Sequence, residues 1–264
     1  MTVRYVLSLP ESFERREKIK KQFVSLGLNF EIIDAKRFTE DEIKDLVAKV
    51  GTDVFKIGVG AVGCFCSHVE AWKKIANDSH RGGFVFEDDA VFSLDAFEFC
   101  VGDEWIPESV DVCQLSYWPS ERYPTKRTFR VLRKINLDNS QHELIQIYSP
   151  CPWGTQGYWI SREASKRALL MKGNKFDNPV DFFLFSKDSD FWKESKVYSL
   201  TPAVVTELSG NVSQRVAIDS SGVCSSEGVL DNKVSDGRMR RRLKKVSDKI
   251  MHLFCKKRCH GFKV

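Results

Sequence analysis

Three consecutive carboxylates, Glu87, Asp88 and Asp89, follow the compact apolar run of residues 83–86. The run predicts a buried strand, so the acidic residues stand at its carboxyl end. Carboxylates in such a place repel one another and lose hydration unless a cation lies among them. A divalent ion with oxygen ligands, Mg²⁺ or Mn²⁺, suits this set and is normally shared with substrate phosphates. The alternative is a solvated acidic turn that caps the following helix, because the first turn of a helix favours negative charge.

A segment rich in small residues precedes the acidic strand, at the start of a predicted helix. It contains Gly60, Gly63, Ser67 and His68. Glycine and serine at a helix start let a diphosphate or a ribose approach the backbone amides. The segment lacks the glycine-rich Lys-Ser/Thr signature of a phosphate loop, so by itself it is weak evidence. His68 alone is more typical of a hydrogen-bonded structural histidine than of a ligand or a base.

The elements that must position these residues alternate between strands and helices. The first strands are predicted at residues 3–9, 29–34 and 83–86, and the first helices at 12–26, 39–50 and 61–77. Thr39 and Glu42 form a capping box at the start of the second helix. This alternation predicts a parallel sheet with ligands at the carboxyl ends of its strands. Later strands are predicted at 110–117, 143–148, 157–161, 197–200 and 203–206, and later helices at 161–171 and from 178.

The order of these motifs resembles glycosyltransferase family 25, which includes bacterial lipooligosaccharide galactosyl- and glucosyltransferases and collagen hydroxylysine galactosyltransferases. The resemblance rests on Gly60-x-x-Gly63-Cys64-x-x-Ser67-His68-x-x-x-Trp72, followed by Phe86-Glu87-Asp88-Asp89-Ala90. It continues in Tyr5-Val6-Leu7-Ser8-Leu9 with Glu14-Arg15-Arg16, in Gly154-Thr155-x-Gly157-Tyr158, and in Pro179-Val180-Asp181. It covers roughly residues 3–220. Two positions depart from the family pattern, since Val62 replaces the usual Glu and Ser8 the usual Asn.

The resemblance implies an α/β fold of GT-A type, which is a nucleotide-sugar-binding sandwich with an acceptor-binding half. It implies metal-dependent transfer of a hexose, galactose or glucose, from a UDP-sugar donor. The acidic triplet takes the part of a DxD motif, so Asp89 is the first metal ligand expected and Glu87 the second. The expected donor-binding residues are Leu9, Arg15, Arg16, Gly60, Gly63, Ser67, His68, Glu87 and Asp88. The metal, Mn²⁺ or Mg²⁺, neutralises a leaving diphosphate.

An inverting reaction, which the resemblance also implies, needs a general base beside the acceptor hydroxyl. Asp181 is the candidate, because Pro179 predicts a helix start that presents this carboxylate in the first turn. The neighbouring Phe182 and Phe183 create an apolar setting that raises a carboxyl pKa. The alternative, equally favoured, is that Asp181 only caps that helix.

Charge is divided unevenly along the chain. Of the 41 Lys and Arg and the 36 Asp and Glu, 12 and two respectively fall in residues 233–264, which leaves an acidic body. We therefore expect a glycosyltransferase domain at residues 1–220, then a mobile segment and a basic helical tail at 221–264. Apolar residues recur in the tail at helical spacing and predict an amphipathic helix that lies on an anionic membrane surface. Packing of this apolar stripe on the body or on another subunit is the alternative.

Residues 1–10 have the pattern of a strand rather than of a secretory signal, and no apolar stretch approaches the roughly 20 residues of a membrane span. The sequence therefore predicts a cytoplasmic enzyme on the inner face of the inner membrane, with a lipid-linked lipooligosaccharide glycan as acceptor. A collagen-type galactosyltransferase is disfavoured because such enzymes work in the secretory pathway. A nucleic-acid-binding protein is disfavoured because the body is acidic and the tail has no interleaved aromatic residues. The oligomeric state is left open.

Overall fold

The computed structural model describes residues 2–50, 57–116, 130–137, 140–149, 151–173, 176–207, 217–218 and 224–225. The strands are β1 (Val3–Ser8), β2 (Glu31–Asp34), β3 (Gly82–Glu87), β4 (Ala90–Phe92), β5 (Val112–Gln114), β6 (Arg130–Asn136), β7 (Glu143–Ser149), β8 (Gly157–Ser161), β9 (Val197–Thr201), β10 (Val205–Glu207), β11 (Ala217–Ile218) and β12 (Cys224–Ser225). The helices are α1 (Phe13–Ser25), α2 (Glu40–Val50), α3 (Val59–Asn77), α4 (Ala96–Cys100), α5 (Arg162–Lys172), α6 (Val180–Phe185) and α7 (Asp190–Lys193). The basic tail at 233–264 lies outside the described residues, so the division of the chain at residue 220 stays a prediction.

Eight strands form one mixed sheet in the order β2-β1-β3-β8-β5-β9-β7-β6. β2, β1 and β3 are parallel, which confirms the prediction for the first third of the chain. β8 runs antiparallel to β3 and to β5, and β5 runs parallel to β9. The start of β8 therefore lies at the same edge of the sheet as the ends of β1, β2 and β3. The fold is mixed α/β, built on a large mixed sheet.

Alternation along the strands places side chains on two faces of the sheet. In β3, Val85 belongs to one buried cluster, whereas Phe84 and Phe86 belong to another. The first cluster contains residues of α3, α5 and α6, and the second contains residues of α1 and α4. Because β3 is covered on both faces, its sequence is a continuous apolar run rather than an alternating one.

The local signals for helix boundaries are confirmed at two places. The backbone N–H of Glu42 donates to Thr39 Oγ1 over 3.2 Å, and the backbone N–H of Thr39 donates to Glu42 Oε2 over 3.0 Å. This is the predicted capping box at the start of α2. Gly27, with φ of 66°, follows the end of α1, where a left-handed residue terminates a helix without strain. None of the described helices is long and apolar enough to cross a membrane.

The chain around the acidic run differs from the prediction in two ways. β3 extends to Glu87, and the turn at Asp88 and Asp89 leads into β4, which pairs antiparallel with β10. Because a strand rather than a helix follows the turn, the alternative in which these carboxylates cap the next helix is wrong. α3 begins at Val59, two residues earlier than predicted, so Gly60 lies inside its first turn.

Candidate functional site

A cleft of about 450 Å³ opens at the edge of the sheet where β1 and β3 end. Its walls are formed by the β1–α1 connection, the segment after β2, the first turns of α3 and the acidic turn. The lining residues are Leu7, Ser8, Leu9, Ser12, Arg15, Ala35, Lys36, Arg37, Phe38, Val59, Gly60, Gly63, Cys64, Ser67, Glu87, Asp88 and Asp89. The structure thus brings the acidic run together with most of the predicted donor-binding residues. Arg16 and His68 are the two that do not line this cleft.

The end of β1 holds the acidic turn in place. The backbone N–H of Asp88 donates to the carbonyl oxygen of Leu7 over 3.1 Å, and Ser8 Oγ donates to Asp88 Oδ2 over 2.7 Å. Arg15 Nη1 lies 3.1 Å from Asp88 Oδ1 and 3.5 Å from Asp89 Oδ2. The hydrogen bond to Asp88 raises the pKa of Arg15, so the Arg15 guanidinium stays positively charged. A cationic side chain therefore already lies between two of the three carboxylates.

The two aspartates fit a divalent cation. One atom of Arg15 is close to a carboxylate oxygen of each, so oxygens of Asp88 and Asp89 converge on a single positive group. Hard cations such as Mg²⁺ and Mn²⁺ bind through sets of oxygen ligands of this kind. Glu87 is oriented differently, because its carboxylate accepts a hydrogen bond from Thr155 Oγ1 and faces His68. The structure places Asp88, rather than Glu87, beside Asp89 at the convergence point.

The Glu87 side chain is mostly buried, with 22% of it exposed. Its Oε1 atom lies 3.4 Å from Nε2 of His68, which is fully buried. Burial by itself raises a carboxyl pKa, but His68, Thr155 and the charge of Arg15 more than offset it. The pKa of Glu87 is therefore lowered, and the carboxylate is ionised at neutral pH.

A second cavity of about 440 Å³ adjoins the cleft and shares Cys64 and Glu87 with it. Its other lining residues are Ala61, Trp153, Gly154, Thr155, Gln156, Pro179, Val180 and Asp181. Asp181 lies in the first turn of α6, as predicted, and its Oδ1 accepts a hydrogen bond of 2.9 Å from the backbone N–H of Phe182. Burial raises the pKa of Asp181 despite this hydrogen bond. The carboxylate thus keeps a link to its helix and also faces a cavity.

Arg16 and His68 lie behind the cleft wall. Arg16 donates to the carbonyl oxygen of Ser8 over 2.9 Å and to that of Leu9 over 3.1 Å, and it pairs with Asp34 at 2.6 Å. It therefore ties the ends of β1 and β2 together instead of facing the cleft. His68 is fully buried, and its ring faces Glu87, which lines the cleft. For both residues, the sequence-based role as direct donor contacts stays a prediction without support from their positions.

Sequence reasoning missed the contribution of the segment after β2. Lys36, Arg37 and Phe38 line the cleft, and Gly63 permits their close approach to α3. A Cβ atom at Gly63 would lie 2.8 Å from the carbonyl oxygen of Lys36. The rule that ligands bind at the carboxyl ends of parallel strands applies to β2 as much as to β3. It would have identified this basic segment.

One further group of side chains has the spacing of a metal site. Ligand atoms of Cys64, His68 and Glu87 all lie within 4.8 Å of one another. Thiolates bind metals, whereas thiols do not. Burial raises the pKa of the Cys64 thiol well above its ordinary value, so this cysteine is protonated. A metal at this position would first have to displace the proton of a buried thiol.

The sequence model of glycosyltransferase family 25 (LPS biosynthesis protein) matches residues 1–184. The lacto-N-neotetraose biosynthesis glycosyltransferase LgtE of Neisseria meningitidis is 29% identical over 210 residues, which are 77% of this chain and 73% of that protein. The lipooligosaccharide biosynthesis protein lic2B of Haemophilus influenzae is 30% identical over 171 residues, which are 63% of this chain and 62% of that protein. Among solved structures, a glycosyltransferase involved in glycosylation of the major capsid of PBCV-1 covers 80% of this chain and 94% of that chain, with 8% identity and a TM-score of 0.40. A likeness of that degree does not assign the fold.

Proposed function

The chain belongs to glycosyltransferase family 25, and from that premise we propose that it transfers galactose or glucose from a UDP-sugar to a lipooligosaccharide core acceptor. Its relative LgtE is named for lacto-N-neotetraose biosynthesis and lic2B for lipooligosaccharide biosynthesis. These names favour a lipooligosaccharide glycan as the acceptor. The observation that carries the proposal is the junction of two cavities at Glu87. Two-substrate transfer requires two such sites with a shared wall, because the reacting atoms must meet.

The cleft at β1 and β3 is proposed as the donor site of a GT-A type fold. Arg15, Lys36 and Arg37 line it with positive charge that suits a diphosphate. The position of a Cβ at Gly60 has no atom within 4 Å, so a ligand has room at the first turn of α3. A divalent cation, Mn²⁺ or Mg²⁺, would be held by Asp89 and Asp88 and would neutralise the charge of the leaving UDP. Glu87 then faces the donor sugar at the junction.

The second cavity is proposed as the acceptor site. Asp181 removes the proton of the acceptor hydroxyl while that oxygen forms its bond to the anomeric carbon and the bond to UDP breaks. Attack from the face opposite to UDP inverts the anomeric centre. The raised pKa of Asp181 makes it a stronger base than an ordinary aspartate. Trp153, 37% exposed, offers an apolar surface for a pyranose ring.

The acceptor is proposed to be lipid-linked and to be reached at the cytoplasmic face of the inner membrane. Support comes from residues 233–264, in which 12 basic residues outnumber two acidic ones. Each Lys or Arg near an anionic leaflet contributes about 1 kcal/mol. A tail with this excess of charge would bind such a surface reversibly and bring the enzyme to its acceptor.

A screen of nucleotide-sugar hydrolysis tests this function without knowledge of the acceptor. Purified full-length protein with Mn²⁺ is incubated with UDP-galactose, UDP-glucose and non-UDP sugars, and the released nucleotide is measured. We expect release from one UDP-hexose, and its loss on addition of EDTA. Folded protein that hydrolyses none of these donors, but shifts DNA in a gel assay, would contradict the proposal and favour the nucleic-acid alternative.

A further inference from the structure

Three fully buried polar side chains form a hydrogen-bonded chain behind the wall that separates the two cavities. Trp72 Nε1 lies 2.8 Å from the Tyr158 hydroxyl oxygen, which lies 2.9 Å from His68 Nδ1. The other ring nitrogen of His68, Nε2, lies 3.4 Å from Oε1 of Glu87. The chain therefore runs from the core of the protein to the carboxylate at the junction.

The partners available to the buried Tyr158 hydroxyl give the direction of this chain. An indole N–H can only donate, so the Tyr158 oxygen accepts from Trp72. The hydroxyl proton is then satisfied only if it points to His68 Nδ1, the other partner of this hydroxyl among the described residues. A neutral imidazole whose Nδ1 accepts carries its proton on Nε2. Among the described residues, Nε2 has no hydrogen-bond partner, and it faces the Glu87 carboxylate at 3.4 Å. Trp72 thus donates to Tyr158 and Tyr158 to His68, whose Nε2–H faces the Glu87 carboxylate.

The fold holds this chain rigidly. His68 and Trp72 are four residues apart on α3, so they lie on the same face of that helix. Tyr158 of β8 is paired with Val85 of β3, and Val85 lies two residues before Glu87 in that strand. Thr155 donates a hydrogen bond to the Glu87 oxygen that His68 faces, Oε1. The two hydrogen bonds of this buried network cost desolvation but specify one orientation of the His68 ring, with Nε2 facing Glu87.

We propose that His68 and Tyr158 are positioning residues for sugar transfer, which hold the Glu87 carboxylate toward the junction of the two cavities. There Glu87 accepts hydrogen bonds from the hydroxyls of the donor sugar and orients the anomeric carbon toward the acceptor. The identity of that sugar rests on the proposed function. The direction of the hydrogen-bonded chain does not, and it can be measured in the absence of any substrate.

Nuclear magnetic resonance of the full-length protein labelled with ¹⁵N- and ¹³C-histidine tests the direction of the chain. The protein has five histidines, and the signals of one disappear in His68→Gln. We expect the ring proton of His68 on Nε2, with Nδ1 as the acceptor from Tyr158. In Tyr158→Phe the donor to Nδ1 is lost while the Glu87 carboxylate still faces Nε2, so the proton should stay on Nε2 and the ¹⁵N shift of Nδ1 should change. A proton on Nδ1 of the wild-type ring would overturn the inference.

Kinetics of UDP-sugar turnover test the positioning role. Tyr158→Phe removes one buried hydroxyl, and Tyr198→Phe, in the other buried cluster, is the matched control. We expect kcat to fall about 10–100-fold in Tyr158→Phe, as for other outer hydrogen-bond partners, with KM for the donor within about twofold and Tm close to that of the control. His68→Gln, which keeps an N–H near the place of Nε2, should retain more activity than His68→Leu.

Equal kcat values for the two tyrosine variants, or equal loss in His68→Gln and His68→Leu, would show that the chain serves only packing. Failure of the proposed function has a different signature. In that case the wild-type protein would turn over no UDP-sugar at all, while the tautomer of His68 would still report whether the hydrogen-bonded chain has the inferred direction.

Discussion

Asp181→Asn is the substitution that most sharply separates a catalytic carboxylate from a helix cap. Asp181 lines the second cavity, and its Oδ1 accepts a hydrogen bond of 2.9 Å from the N–H of Phe182. Asparagine keeps an oxygen acceptor for that N–H and nearly the same volume. The variant therefore removes the negative charge and the ability to take a proton, while it leaves the local hydrogen bond in place.

The two roles predict effects of different size. Loss of a general base lowers transfer about 10²–10⁴-fold, which is about 2.7–5.4 kcal/mol of activation free energy at 1.36 kcal/mol per factor of ten. Loss of a charge in the first turn of a helix lowers stability by about 0.3–1 kcal/mol. Because α6 has only six residues, its dipole gives Asp181 no larger stabilisation than this. A large loss of transfer with a small change in stability therefore identifies the base.

The dependence of stability on pH gives a second, independent test of the setting of Asp181. Burial raises the pKa of Asp181 in the folded protein above its ordinary value. Protonated Asp181 therefore contributes to the stability of the folded protein. This contribution is full below the ordinary aspartate pKa, and it is lost as pH rises through the raised pKa of the folded state. Asparagine does not titrate, so relative to wild type the Asp181→Asn variant should gain stability as pH rises above the ordinary aspartate pKa of about 4.

Initial rates of transfer, donor KM and urea denaturation at two pH values measure these quantities for wild type and variant. We expect donor KM to stay within about twofold, since the cleft proposed for the donor does not include Asp181. A comparable loss of donor affinity would instead place Asp181 in the donor site. Unchanged transfer with a drop in stability at pH 7 would refute the reasoning and support the helix cap.

Four other substitutions or truncations follow from the same structure. Asp89→Asn should abolish most turnover and its response to Mn²⁺ at nearly unchanged Tm, as should EDTA for the wild type; full Mn²⁺-dependent activity would contradict the metal assignment. Trp153→Ala should raise the acceptor KM about tenfold and spare donor hydrolysis, whereas equal losses would exclude an acceptor role. Gly63→Ala should lose about 1–3 kcal/mol of stability in urea because its Cβ would lie 2.8 Å from a backbone oxygen, while Gly60→Ala, in open space, serves as control and should differ little. Full-length protein should float with liposomes that contain phosphatidylglycerol, and a chain that ends at Asn232 should not; salt-insensitive binding would argue against an electrostatic anchor.

Several features of the fold were accessible from local sequence patterns. The capping box at Thr39 and Glu42, the glycine after α1 and the buried strand before the acidic run each depend on residues within a few positions of one another. The alternation of strands and helices also predicted the parallel arrangement of β1, β2 and β3. Local patterns did not predict the element after the acidic turn. The short strand β4 has only three residues and forms because β10, more than a hundred residues later, pairs with it.

The sequence by itself determined that three carboxylates end a buried strand at the ligand-binding edge of a sheet and that a glycine-bearing helix precedes them. Only the tertiary structure decided the partners of those carboxylates. Arg15 meets Asp88 across 73 positions of sequence, and Tyr158 meets His68 across 90. The physical reason is that periodicity reports which face of an element is buried, whereas these contacts depend on strand order and register. Strand order and register are set by packing of the whole sheet between its two layers of helices, and no short segment encodes them.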